Sequence, residues 1–144
     1  MLKNTSFVGS ASTNPFHFHH YDMTNLVLCV NDVQHPPEPI TMDCSLPFGA
    51  TRAYETLFSS TCIHHGDRAH ILALEMFTKG FYILVIDLIP DREAGEEHTS
   101  LPRQENVRIE AQLKKPLPEP VTCILHAEFP GHVKIKNSRN VTVE

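Results

Sequence analysis

A chain of 144 residues with 41% hydrophobic and 20% charged side chains has the length of one domain and an ordinary globular composition, which excludes wholesale disorder. Its net charge of −5, with histidine neutral, argues against a surface built to grip nucleic acid, and Lys114, Lys115, Lys134, Lys136 and Arg139 read as a solvated rim. The 11 prolines break helices and mark short connections, which favours strands and loops.

Residues 1–22 read as an irregular amino-terminal arm, because Gly9, Ser10, Ser12, Thr13 and Asn14-Pro15 are turn formers. Residues 23–144 read as a single β-sandwich domain. Met23 to Val30 alternates with period two and predicts the first strand. Asn31-Asp32 turns the chain, and Val33-Gln34 begins a return. The segment from His35 to Pro39 lacks ladder donors at three positions, so an edge or a crossing loop is expected. Tyr54, Leu57 and Phe58 share one helical face, which predicts a short helix over 51–59 with Thr51 able to cap it. Residues 71–78 fit a helix or a strand, and Gly80 ends either.

Phe81 to Leu88 is apolar almost throughout, as expected of a strand buried on both faces. Asp91 to Pro102 is an acidic loop. Val107 to Leu113 alternates, with Val107, Ile109, Ala111 and Leu113 expected inside. Val121 to Phe129 alternates again, and His132–Lys136 pairs with Val141–Val143 across the turn at 137–140. Phe81, Ile83, Val85, Ile109, Leu125 and Ala127 are the expected core. Short strands at roughly ten-residue spacing with proline-rich turns spell a sandwich with one or two short helices.

Two groups of residues invite a chemical reading. His17 and His19 would project from one side of a strand and share a metal ion, as in cupin enzymes, with His35 or Glu38 completing the site. That pair sits between Pro15 and Tyr21 rather than inside a glycine-bounded strand, so it is the weaker reading. The other reading packs Phe16, Phe18 and Tyr21 onto the sheet while the imidazoles line a surface or a subunit contact. Cys62 with His64, His65 and His70 has no known zinc spacing. Nucleophile elbows and phosphate loops are absent, and Asp91, Glu93, Glu96 and Glu97 read as solvated carboxylates. No cofactor and no catalytic residue is expected.

Cys29, Cys44, Cys62 and Cys123 are far apart, and Met1 to Ser6 lacks an apolar leader core. Reduced, mostly buried thiols in a protein that is not secreted are therefore expected, in cytoplasm or nucleus. The longest apolar run, Phe81 to Ile86, is too short to span a bilayer, so no membrane partner is expected.

Five segments in order carry a resemblance: Asn14 to Asp22 with the strand after it, Tyr54 to Phe58, Gly80 to Asp91, Val107 to Glu110 with Val121 to Phe129, and Arg139-Asn140-Val141. Together they resemble the carboxy-terminal part of the double jelly-roll major capsid proteins of Polinton/Maverick elements and adintovirus-like DNA viruses, over nearly the whole chain. Asn31-Asp32 lacks the glycine that usually closes the family's hairpin, and Ile89 stands where the family has Thr. The resemblance implies a partial jelly roll, incomplete relative to the family, as in a truncated or endogenised gene. It implies self-assembly rather than catalysis, in a virion if the chain is viral. The implied partner is another copy or a fuller capsid subunit, with Phe16, Phe18 and Tyr21 as contact residues. Two alternatives stand beside it: a domesticated host protein-binding module on a β-sandwich, and the cupin-like metal-dependent enzyme.

Overall fold

The computed structural model describes residues 1–61, 63, 70–89 and 104–128, and the backbone of two further strands at 133–135 and 141–143. The fold is all-β and sandwich-like, with antiparallel sheets and a few short helices. In chain order the described elements are β1 (Leu2–Lys3), α1 (Asn4–Val8), β2 (Met23–Val30), β3 (Val33–Thr41), α2 (Thr51–Ser59), α3 (Leu74–Gly80), β4 (Val107–Leu113), β5 (Val121–Thr122), β6 (Val133–Ile135) and β7 (Val141–Val143). The principal sheet runs β3-β2-β4, while β1 pairs with β5 and β6 with β7.

The hairpin β2–β3 forms where the alternation places it. Asn31 and Asp32 adopt φ values of 49° and 65°, a conformation that Asn and Asp tolerate and that matches the twist of paired strands. The return strand runs to Thr41, well past Gln34. Its register passes from Leu28↔His35 to Leu26↔Ile40 across an irregularity. Pro36, Pro37 and Pro39 fall in that bulged stretch on an outer strand, where no ladder donor is needed.

The core is centred on Met23, Ile40, Met42, Ala50, Ala53, Leu57, Phe77 and Tyr82. Helix α2 spans the residues expected of it and buries Ala53 and Leu57. Its start differs in one detail: Thr51 Oγ1 donates backwards to Phe48 O at 2.8 Å instead of capping the helix. Residues 74–80 resolve as helix. Phe77 is fully buried between Tyr54 and Tyr82, with ring centroids at 5.6 and 4.7 Å. The Tyr82 hydroxyl donates to the Met42 sulfur.

Several expectations are corrected. The first 22 residues are not wholly irregular, since β1 and α1 lie among them and Leu2 is buried. Phe81 to Leu88 is not a strand buried on both faces. Only Phe81 makes a bridge, to Phe18, and it is Tyr82 that turns inward while Phe81 and Ile83 are exposed. A one-residue change of phase inverts every side chain of an extended segment. Val85 is half-buried. Among the described residues 121–128 a ladder forms only at Val121–Thr122, and Leu125 (64% exposed) and Ala127 lie outside the core. In β4, Val107, Ile109 and Ala111 are exposed and only Leu113 is half-buried. Ile109 therefore joins Phe81, Ile83, Leu125 and Ala127 as expected core that is not core.

Of the cysteines, Cys29 is buried, Cys44 half-buried and Cys123 exposed, all as free thiols. Burial, with Asp22 and Asp43 nearby, pushes the Cys44 thiol up to about 11. Cys62, His64, His65, the acidic loop at 91–102 and the turn at 137–140 lie outside the described residues.

Candidate functional site

The histidine-rich segment before β2 folds into a knot tied to its own chain. Asn14 Oδ1 accepts from Phe16 N at 2.9 Å, the local bond that lets Asn open a turn. Phe18 then bridges α3's exit: Phe18 N donates to Gly80 O at 2.7 Å, and Tyr82 N donates to Phe18 O at 3.2 Å. The His17 ring lies over Gly80, with Nε2 2.9 Å from Lys79 O. A Cβ on residue 80 would stand 2.0 Å from His17 Cδ2, so any side chain there displaces the His17 ring. His19 ties the other flank, exchanging main-chain bonds with Met1 at 2.8 and 3.1 Å.

Tyr21 and Asp22 both take positive φ, 49° and 50°, as the chain turns into β2. Asp22 N donates to His20 Nδ1 at 3.0 Å, and Asp22 O accepts from Lys114 N at 2.8 Å. Burial holds the His20 imidazole below its ordinary pKa despite nearby Asp22. Burial also lowers His19, with the neighbouring His17 and Lys3 acting in the same direction. Desolvation raises the Tyr21 phenol, whose buried hydroxyl has no hydrogen-bond partner among the described residues.

Beside Tyr21 opens a cleft of about 430 Å³ walled by Pro116 and Pro118. Its cations are already matched: Lys3 meets Glu119 at 2.9 Å, and Lys115 meets Asp22 at 3.2 Å. Lys114 likewise pairs with Asp43 at 3.3 Å. These lysines form compensated pairs with neighbouring acids.

Each residue singled out in the sequence has a place here. His17 and His19 do come together, with ring centroids 4.2 Å apart. Neither His35 nor Glu38 joins them: Glu38 pairs with Arg52 at 3.0 Å, and no group of three potential ligands forms among the described residues. Phe16 is largely exposed at 68%, whereas Phe18 and Tyr21 are half-buried against their own chain. His70 stacks on Phe58 at 4.2 Å.

A second feature went unforeseen. Along β4 both faces are open, with Val107 50% and Ile109 39% exposed, although these residues continue the side of the sheet that carries buried Leu28 and Val30. Alternation in β4 signalled an apolar side correctly, but nothing local records whether the chain lays anything over it. Compared with family models, curated proteins and solved structures, the chain finds no match in any of the three.

Proposed function

We propose that this chain is a structural, self-assembling protein of the capsid type that its five ordered segments resemble, acting by association rather than catalysis. The observation that carries this reading is the open outer strand: β4 offers a seven-residue edge with apolar side chains exposed on it. Unpaired strand edges template pairing with another chain, and natural proteins usually blunt them. Here the edge carries no proline, no helix among the described residues covers it, and its two charges, Arg108 and Glu110, are of opposite sign and pair with each other at 3.0 Å. Exposed Phe16 and the half-buried Phe18 and Tyr21 offer a second aromatic surface for the same purpose.

Sedimentation velocity across a micromolar concentration series tests the reading, with electron microscopy of the heaviest fraction. Concentration-dependent association, or co-assembly with a fuller capsid subunit, is the expected result. A monomer at every concentration overturns it and favours a domesticated binding module on the same sandwich.

A further inference from the structure

Strand β4 pairs with β2 along one edge and with no other strand among the described residues. Bonds just beyond its two ends reveal which backbone groups face the open side. Asn106 O accepts from Asn31 N at 2.9 Å, and Lys114 N donates to Asp22 O at 2.8 Å, both toward β2's side of the sheet. The register shift in this ladder falls between Met23 and Asn25, on β2, so alternation along β4 is unbroken. Ladder groups alternate sides along a strand. The even-numbered residues therefore bond inward, and Val107, Ile109, Ala111 and Leu113 present N–H and C=O outward.

We infer that a second copy of this chain completes the edge, its β4 running antiparallel to the first about a two-fold axis at Ile109. The inference rests on the self-association reading and specifies its partner and register. Centred there, Ile109 meets its own symmetry mate in a hydrogen-bonded pair, and Val107 meets Ala111 of the second copy in another. About six main-chain bonds result. Arg108 then stands opposite Glu110 of the second copy, and Glu110 opposite Arg108, in the closer, non-hydrogen-bonded positions. With the existing Arg108–Glu110 contact of 3.0 Å, the four charges alternate in sign around a square.

Other two-fold registers fail on charge or polarity. Centres at Arg108 or Glu110 put like charges face to face, which destabilises cross-strand pairs. A centre at Ala111 sets Arg108 against Lys114. A centre at Val107 sets Ile109 against Glu105. The Ile109 centre alone pairs Arg108 with Glu110 across the axis while the outward backbone groups meet, and its one apolar–acid mismatch, Leu113 opposite Glu105, falls at the end of the strand. The two three-stranded sheets then join into one, and the exposed Val107 and Ile109 lie beside their counterparts instead of water.

The test uses the full chain with Arg108→Glu and Glu110→Arg made separately, both checked by circular dichroism for retained fold. In sedimentation velocity each variant alone should associate about tenfold more weakly, because like charges then oppose across both symmetry-related pairs. Mixing the two variants should restore wild-type association, since each supplies the sign the other lacks. Independently, Ile109→Cys should form an intermolecular disulfide under mild oxidation beyond that of the wild type, as a hydrogen-bonded antiparallel pair sits at about 5.5 Å between Cα atoms. Restoration in the mixture together with the cross-link supports the register. A wild type that associates while the charge variants are indifferent and the introduced thiol stays reduced overturns it, leaving self-association standing. A wild type that stays monomeric overturns both.

Discussion

The two outer strands of the principal sheet share one neighbour, and the far end of β3, at Ile40, is covered where β4 is not. On the β3 side the chain turns back at Met42 into α2, which packs on β3 and carries α3 against it, so Ile40, Met42 and Phe77 are buried. On the β4 side nothing equivalent among the described residues covers the face, and Val107 and Ile109 are exposed although their alternation is the cleaner of the two. The difference teaches that period-two alternation identifies a strand and its apolar side. Burial depends on what the rest of the chain brings to that side.

The largest expected effect sharpens this contrast directly. Phe77→Ala should destabilise by about 3–5 kcal/mol, since it empties the volume of a fully buried ring. Ile109→Ala should cost less than about 1 kcal/mol at concentrations where the chain is monomeric. Urea denaturation of both variants checks the pair, and equal losses would break the contrast.

Next is the knot that joins the helical side to the amino-terminal segment. Gly80→Ala should cost roughly 1–3 kcal/mol, because the added methyl collides with the His17 ring at a backbone φ of 154°. Adding His17→Ala should recover part of that loss, as neighbours sharing one contact couple. A thermal melt of the single and double variants decides it; no recovery would mean that the cost lies in the backbone.

A weaker handle is pH. His19 and His20 have folded-state pKa values lowered by burial, so the unfolded chain takes up protons that the folded chain resists. Their contribution is neutral above about pH 6.5 and becomes destabilising as pH falls below it. Melting temperature should therefore drop on acidification through this window, and His20→Gln should flatten the drop. A variant with the wild-type slope would place the acid sensitivity elsewhere.

The smallest effect belongs to the exposed pair Arg52–Glu38. Arg52→Ala should change stability by no more than about 0.5 kcal/mol, because screened surface pairs contribute little. A larger loss in chemical denaturation would show that this contact anchors α2 to β3.

Much of the framework was legible in the residues. The bounds of β2, α2 and β4 follow from their periodicity, and the β2–β3 turn follows from Asn31-Asp32. The helix at Leu74–Gly80 was open to two readings because the few apolar residues of 71–78 are too short a run to separate the two periods. The knot was visible as a composition, but its attachments to Met1 and to Lys79–Tyr82 are non-local and leave no trace at positions 17–19. The phase of Phe81 to Leu88 was misjudged for the same reason: the bridge to Phe18 sets it, and both phases of that segment are apolar.

What the sequence by itself determined is local: the bounds of β2, α2 and β4, where Asn and Pro turn or interrupt the chain, and which side of those strands is apolar. These follow from backbone sterics and side-chain period within a few residues. What only the tertiary structure decided is which apolar side is covered. That depends on contacts between segments far apart in the chain, such as Phe77 with Tyr54 and Phe18 with Gly80. The same alternation is therefore buried in the second half of β2, at Leu28 and Val30, and left exposed in β4.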